Sequence, residues 1–104
     1  MNQTANSLRG EAMLTIGGQD KLLRPTFSAL IAAEDELGPL LAMVERAANG
    51  QLKLGELSAL FWHCLDDQES YSRNDVENAI IAIGLTRCAD PLRAILAQIL
   101  KGTQ

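Results

Sequence analysis

The sequence predicts an α+β fold that is mostly α, with an N-terminal β-hairpin packed on a bundle of four to five short helices. Apolar and polar residues alternate over residues 11–16, and a glycine pair follows, which together indicate a hairpin. Beyond residue 25, apolar residues recur at helical spacing in segments that glycine and proline separate. A chain of 104 residues is long enough for one core, so a single domain is expected.

The expected domain covers residues 9–101, between a disordered N-terminus over residues 1–8 and a frayed tail over residues 102–104. No apolar run approaches the roughly 18–20 residues that span a bilayer, so no membrane association is expected. The polar start of the chain has no apolar signal-peptide core, which favours a cytoplasmic location.

The hairpin is predicted from its pattern. Ala12, Leu14 and Ile16 share one face of the first strand. Residues 17–20 read as the turn, and residues 21–24 as the returning strand. Because an isolated hairpin is marginal in water, it must pack on helices or pair with another edge.

Five helices follow from their caps and stripes. The first begins after Thr26 and stops at Gly38. The next three helices are predicted over residues 39–48, 54–65 and 72–83. The fifth is predicted over residues 90–100, with Asp90 as its N-cap and Pro91 in its first turn.

The predicted core is aliphatic, because aromatic residues make up only 4% of the chain. On the first helix, Ile31 and Leu37 complete an expected buried face with Phe27 and Leu30. On the second helix, the expected stripe is Leu40, Leu41, Val44 and Ala48, and on the fifth it ends at Leu100. The predicted core residues are Leu14, Ile16, Phe27, Leu30, Val44, Leu60, Ile80 and Leu96.

Charge argues against a nucleic-acid partner. The net charge is −4, and residues 1–52 carry four basic and six acidic side chains against five and seven in residues 53–104. Neither half forms the basic patch that a phosphate backbone attracts. Cys64 and Cys88 are expected to be free, buried thiols, as is usual in a reducing compartment.

Three consecutive acids, Glu34, Asp35 and Glu36, stand near the end of the first helix. Successive helical residues point about 100° apart, so these carboxylates cannot converge on one metal ion. Asp35 and Glu36 are expected to face solvent and to be dispensable. Glu34 lies beside the apolar stripe and needs a partner, which is either a structural ion pair with Arg24 or Arg46, or a backbone contact.

The other candidate sites lack the residues that their chemistry needs. Residues 66–77 have the length of a calcium-binding EF-hand loop, but Tyr71 stands where that loop requires glycine. His63 and Cys64 are adjacent and diverge on a helix, and with Cys88 they lack the spacing of a zinc site. No phosphate-binding glycine motif is present. We therefore predict no catalytic residue, metal or cofactor, and no enzymatic activity.

Protein binding remains as the expected function. Leu22, Leu41, Met43 and Trp62 lie at the margins of their apolar stripes and are candidates for partner binding. Trp62 is either packed at the rim of the core or an anchor in a protein contact. The edge of the hairpin is a further route, because strand addition there would permit partner binding or self-association.

Several short motifs carry a family resemblance. They are Arg9-Gly10-Glu11, residues 23–27 (L-R-P-T-F), Ala29-Leu30, Glu34 and Leu37-Gly38, with weaker matches through the later helices. Over residues 8–101 the chain resembles the small tail proteins of alphaproteobacterial gene transfer agents and related long-tailed phages.

The resemblance implies a role in tail formation, either as a tail-tube component or as a tail assembly chaperone. A tube subunit is expected to be a β-sandwich, so one hairpin and about five helices favour the chaperone. Its partners would then be the tape-measure protein and the tail-tube protein. The alternatives are a structural component of the tube, found in the particle, and a helical interaction or regulatory module unrelated to phage.

Overall fold

A computed structural model describes residues 11–101 of the chain. The α+β, mostly α prediction is confirmed: a two-stranded hairpin precedes five α-helices in this range. The expected disorder over residues 1–8, the motif residues Arg9 and Gly10, and the expected frayed tail over residues 102–104 lie outside the described range. The elements are β1 (Ala12–Ile16), β2 (Gln19–Leu23), α1 (Phe27–Leu37), α2 (Leu40–Ala48), α3 (Leu54–Cys64), a short 3₁₀ turn (Gln68–Ser70), α4 (Arg73–Ile83) and α5 (Leu85–Lys101).

The hairpin turn is shorter than expected. β1 and β2 pair antiparallel from Ala12 opposite Leu23 to Ile16 opposite Gln19, which leaves only two glycines in the turn. Gly17 and Gly18 have φ angles of 59° and 83°, and positive φ at both positions is what a tight primed turn requires. Gln19 and Asp20, predicted as turn residues, therefore belong to β2.

One face of β1 enters the core as predicted, with Ala12, Leu14 and Ile16 all buried. This strand packs against α4 and α5. The outer edge of β2 is covered at its end by the chain leaving α3. There Arg24 N–H donates to the Cys64 carbonyl at 2.6 Å, and Asp66 N–H donates to the Leu22 carbonyl at 3.0 Å. Strand addition at residues 22–24 is thus blocked by the protein itself.

Two helices have the predicted caps. Thr26 Oγ1 accepts a hydrogen bond from Ala29 N–H at 3.1 Å at the start of α1, and Gly38 ends this helix with a φ of 85°. Ser72 and Asp75 form the predicted reciprocal capping box of α4, with hydrogen bonds of 3.2 and 2.8 Å.

The start of α5 was predicted wrongly. The helix begins at Leu85, directly after Gly84, and Pro91 lies inside it rather than in its first turn. A proline inside a helix removes one backbone hydrogen bond, which explains why the local pattern indicated a start there. The extra turn before it carries Cys88, which is 1% exposed, so burial in the core accompanies the longer helix. Asp90 is not the cap and pairs with Arg93 instead.

Helix α3 is the centre of the molecule. Its predicted stripe of Leu57, Leu60, Phe61 and Cys64 is buried, as is Leu65, the residue that ends the helix. α1 and α4 pack against it. The core around it consists mainly of aliphatic side chains, as expected: Leu14, Ile16, Leu23, Ala33, Leu40, Met43, Leu57, Leu60, Phe61, Cys64, Leu65, Val76, Ala79, Ile80, Cys88 and Ile95.

The predicted buried face of α1 is partly wrong. Phe27 is 80% exposed and Ile31 45% exposed, so neither belongs to the core. The covered side follows Leu30, Ala33 and Leu37, at i, i+3 and i+7, where Ala33 is buried and the two leucines are half-buried against the core. Because successive helical residues are about 100° apart, Phe27 and Ile31 lie on the helix surface next to this covered side and not on it.

The buried face of α2 differs from the predicted one, because Met43 belongs to it and Leu41 and Ala48 do not. Leu40, Met43 and Val44 are buried, whereas Leu41 and Ala48 face solvent. In α5, Ile95 is buried, Leu96 is half-buried against the core, and Leu100 is 57% exposed, contrary to its predicted place in the stripe.

Candidate functional site

A cluster of polar side chains joins three helices. Glu36 of α1 forms a two-point contact with Arg73 of α4, with Nη1–Oε2 and Nη2–Oε1 distances of 2.8 and 2.5 Å. His63 Nε2 of α3 lies 2.8 Å from Glu36 Oε1. The hydrogen bond from Arg73, followed by that from His63, lowers the pKa of Glu36 to about 2. Glu36, predicted to be a dispensable surface residue, therefore forms an ion pair with Arg73 and a hydrogen bond with His63.

The same cluster places Trp62 and Gln68. The Arg73 guanidinium lies 5.9 Å from the centre of the Trp62 ring, within the range of a cation–π contact. Gln68 Nε2 donates to the Trp62 carbonyl at 2.8 Å. Trp62 is half-buried and packs against the core, which agrees with the rim-packing alternative.

The thiol that follows the cluster in the sequence is not an activated nucleophile. Cys64, which follows His63 in the chain, is buried, and desolvation raises its pKa to about 12. A thiol in that state is a poor nucleophile at neutral pH. Within residues 11–101, no group of three or more potential ligands is arranged to hold a metal ion. The arrangement acts as a clamp between α1, α3 and α4.

Glu34 caps the next helix. Its Oε2 accepts a hydrogen bond from Leu40 N–H at 3.1 Å. Pro39, at the N-cap position of α2, provides no side-chain hydrogen bond of its own. A carboxylate at a helix N-terminus satisfies a free N–H and interacts favourably with the helix dipole. Of the two roles considered for Glu34, the backbone contact is the one observed.

The predicted ion pairs of Glu34 are not formed, because both arginines have other partners. Arg24 contacts Glu11 and Asp66, each at 3.4 Å. Arg46 pairs with Glu56 at the start of α3. In the described part of the chain, Glu34 takes part in no ion pair.

The four candidates for partner binding separate into two groups. Met43 is fully buried and Leu22 is 8% exposed, so neither offers surface to a partner, and both predictions are wrong as regards exposure. Leu41 is 61% exposed. Trp62 keeps part of its surface accessible at the edge of the polar cluster.

The structure exposes other apolar side chains that the sequence reading did not select. They are Phe27, Ile31, Leu54, Ile81, Leu85 and Leu100, each at least 45% exposed. Isolated exposed leucines are ordinary, but apolar residues that border a concavity indicate a binding site.

Two of them border an apolar groove between the start of α3 and the first turns of α5. It has a volume of about 390 Å³. Leu54 and Leu85, 55% and 60% exposed, are part of its wall. We call it the α3–α5 groove, and its lining residues are Leu52, Lys53, Leu54, Leu57, Leu85, Cys88, Ala89 and Leu92. The leucines on either side of Lys53 were a sequence signal for one wall, but Leu85, Cys88 and Ala89 of the other wall lie in a helix only because α5 starts earlier than predicted.

A second, polar cleft of about 550 Å³ lies between the start of α1 and residues 63–69. Its charged wall residues include Arg24 and Asp66, which neutralise each other. No buried side-chain nitrogen or oxygen in residues 11–101 lacks a hydrogen-bond partner.

No helix in the described range is both long enough and apolar enough to cross a membrane. A search of curated proteins and a search of solved structures each found no match. A family model described as "Phage tail tube protein, GTA-gp10" matches residues 9–102. Because the match covers nearly the whole chain, the protein belongs to this family of phage and gene-transfer-agent tail proteins, and the resemblance seen in the sequence is confirmed.

Proposed function

We propose that this tail protein is a non-enzymatic assembly chaperone, which binds apolar helical segments of the tape-measure protein and of the tail-tube protein before they assemble. The observation that carries the proposal is the α3–α5 groove, an apolar concavity on a helical domain with exposed leucines in its wall. The family supports a role in phage or gene-transfer-agent tails. The groove would provide a means of holding a partner protein.

The groove suits a helix rather than an extended strand. Amphipathic helices bind in apolar grooves through side chains at positions i, i+3, i+4 and i+7. All but one of the lining side chains are apolar, and Lys53 is the exception. Covering Leu54 and Leu85 removes apolar surface from water and stabilises the complex by about 25 cal/mol for each Å² buried. A long helical tape-measure protein presents such stripes along its length.

The fold supports the chaperone over a structural component of the tube. A tube subunit needs strands that continue from one copy to the next. In residues 11–101 the sheet consists of β1 and β2 alone. The end of β2 is occupied by backbone hydrogen bonds to Cys64 and Asp66. The two strands have only five residues each, which is little sheet from which to build a continuous β-tube.

The polar cluster supports a non-enzymatic role. Glu36, His63 and Arg73 satisfy one another, and the neighbouring Cys64 thiol is kept protonated by burial. Catalytic acids, bases and nucleophiles need a free reacting atom within reach of substrate. This cluster is better suited to fixing the helices that carry the groove.

Co-purification tests the proposal. We would co-express the tagged protein with the tape-measure and tail-tube proteins of its own gene cluster, and expect at least one to be retained. Leu85→Ser should reduce retention, because it places a polar hydroxyl in the groove wall. Leu100→Ser is a matched control on the same helix: it changes a leucine of similar exposure, about 22 Å along the helix axis at 1.5 Å per residue.

Two outcomes would contradict the chaperone. If neither tail protein is retained while both are soluble, a helical module with another partner becomes the better proposal. If the protein is instead found as a stoichiometric component of purified particles, the tube-component alternative is favoured. The description of the family as a tail tube protein supports the tube-component alternative.

A further inference from the structure

Folding leaves a second apolar surface unused, on the outward side of α1. Phe27 and Ile31 are one helical turn apart and are 80% and 45% exposed. Asp35, one turn further, is exposed and has no ion-pair partner within residues 11–101. We call these three residues the α1 stripe. At 1.5 Å per residue it extends about 12 Å, with an apolar end and an acidic end.

The α3–α5 groove has the complementary character. It is concave and apolar, and Lys53 is the one charged residue in its lining. Lys53 takes part in no ion pair in the described part of the chain, whereas the nearby Arg46 is occupied by Glu56. The groove therefore combines apolar side chains with a single positive charge, which also lies near enough to Glu56 to help lower the pKa of that carboxyl.

The α1 stripe and the α3–α5 groove thus have complementary shape, polarity and charge on one chain. We infer that the α1 stripe of one copy docks into the α3–α5 groove of a second copy, with Phe27 and Ile31 in the groove and Asp35 facing Lys53. Such a contact is heterologous, because it joins two different surfaces. Each copy in a pair still has one free stripe or one free groove, so association continues into rings or open filaments rather than stopping at a dimer.

This contact is expected to be weak. Two apolar side chains and one exposed ion pair form an interface well below the size of a stable complex. Self-association should therefore depend steeply on protein concentration and weaken with salt. The contact does not require the groove to bind a tail protein. If it does bind one, a tail protein and a second copy compete for the same groove.

Sedimentation velocity over a wide concentration range tests the inference. For the wild type, the weight-average sedimentation coefficient should rise with concentration. Phe27→Ser, which alters the stripe, and Leu85→Ser, which alters the groove, should each stay monomeric. Leu54→Ser provides a second groove variant in case Leu85→Ser unfolds. Ile81→Ser is the control, because it changes an apolar side chain on α4 whose exposure, 75%, is close to that of Phe27, and it should associate as the wild type does.

Mixing the variants gives the sharpest result. Phe27→Ser keeps an intact groove and Leu85→Ser keeps an intact stripe, so their mixture should form a heterodimer and grow no further. A wild type that stays monomeric at all concentrations overturns the inference. The inference is also overturned if Phe27→Ser or Leu85→Ser alone associates as the wild type does. A mixture of the two that stays monomeric, or that grows beyond two copies, overturns it as well.

The charged pair can be tested by exchange. Asp35→Lys and Lys53→Asp should each weaken association several-fold, and the double variant should restore it. Failure of the exchange to restore association contradicts the proposed orientation. These results are separable from the chaperone proposal: Phe27→Ser should lose self-association and keep its tail partner, whereas Leu85→Ser should lose both.

Discussion

Helices α1 and α3 have the same length and similar apolar patterns, yet α3 is mostly buried and α1 is mostly exposed. α3 buries Leu57, Ser58, Ala59, Leu60, Phe61 and Cys64, whereas Ala33 is the only buried residue of α1. Both have eleven residues. Apolar spacing therefore predicts that a helix forms, but its neighbours decide which side of it is covered.

The difference comes from position in the fold. α3 is packed by α1 on one side and α4 on another, so little of its surface remains for solvent. α1 packs mainly against α3 and α2, Glu36 near its end contacts Arg73 of α4, and the side with Phe27 and Ile31 faces solvent. Its Phe27 contributes little to the core and remains available to a partner. α1 thus leaves apolar side chains exposed, whereas α3 keeps most of its apolar side chains in the core.

Truncating the centre of α3 should have the largest effect on stability. Leu60 is fully buried, so Leu60→Ala should lower the free energy of unfolding by about 2–5 kcal/mol. Phe27→Ala, on α1, should change it by less than about 0.5 kcal/mol, as at other surface sites. Urea denaturation measures both. Equal losses would mean that α1 is as much part of the core as α3.

The contacts of Glu36 of α1 with Arg73 of α4 and His63 of α3 should give a smaller, pH-dependent effect. Glu36 has a pKa lowered to about 2, below the ordinary value of 4.5, so its carboxylate stabilises the folded state. This stabilisation is fully present above about pH 4.5 and is lost as the pH falls toward 2. Because Glu36 is 37% exposed and screened by solvent, Glu36→Gln should cost only about 1 kcal/mol at neutral pH.

Urea denaturation of the wild type and Glu36→Gln at several pH values measures this effect. The two stabilities should converge as the pH falls from about 5 toward 2. Asp35→Asn is the control, and it should show neither the cost nor the convergence. A constant difference between wild type and Glu36→Gln across this pH range would contradict the ion-pair account.

The smallest effect is expected where α1 passes into α2. Glu34→Ala removes the hydrogen-bond acceptor for Leu40 N–H and should cost about 0.5–1 kcal/mol. Glu34→Gln keeps an acceptor oxygen and should cost less. Thermal unfolding of the two variants beside the wild type provides the comparison. If Glu34→Gln is as costly as Glu34→Ala, the charge matters more than the cap.

The features that depend on local signals could be predicted from the sequence. The alternation of apolar and polar residues indicated the buried face of β1, and the cap residues Thr26 and Ser72 indicated helix starts. Both signals depend only on residues that are close together in the sequence. The start of α5 could not be predicted in this way. Pro91 gives a local signal for a helix start, whereas the burial of Cys88 depends on contacts made elsewhere in the chain.

The candidate site was harder to predict than the fold. Glu36 finds Arg73 and His63 at separations of 37 and 27 residues, which no short motif encodes. On α1, Phe27 and Ile31 share a helical pattern with Leu30, and periodicity alone cannot tell which part of that arc faces the core. The α3–α5 groove is formed by two distant segments, so its shape required the fold.

The central claim is that the apolar side chains which folding leaves exposed around the α3–α5 groove bind the tail partner. A binding titration of the purified tape-measure or tail-tube partner against wild type, Leu85→Ser and Leu100→Ser tests it most directly. The account predicts about a tenfold loss of affinity for Leu85→Ser, or about 1.4 kcal/mol, and little change for Leu100→Ser. The free energy of unfolding of both variants should stay within about 1 kcal/mol of wild type. Equal affinities for the two variants, or a loss for Leu85→Ser that matches its loss of folded protein, would contradict the claim.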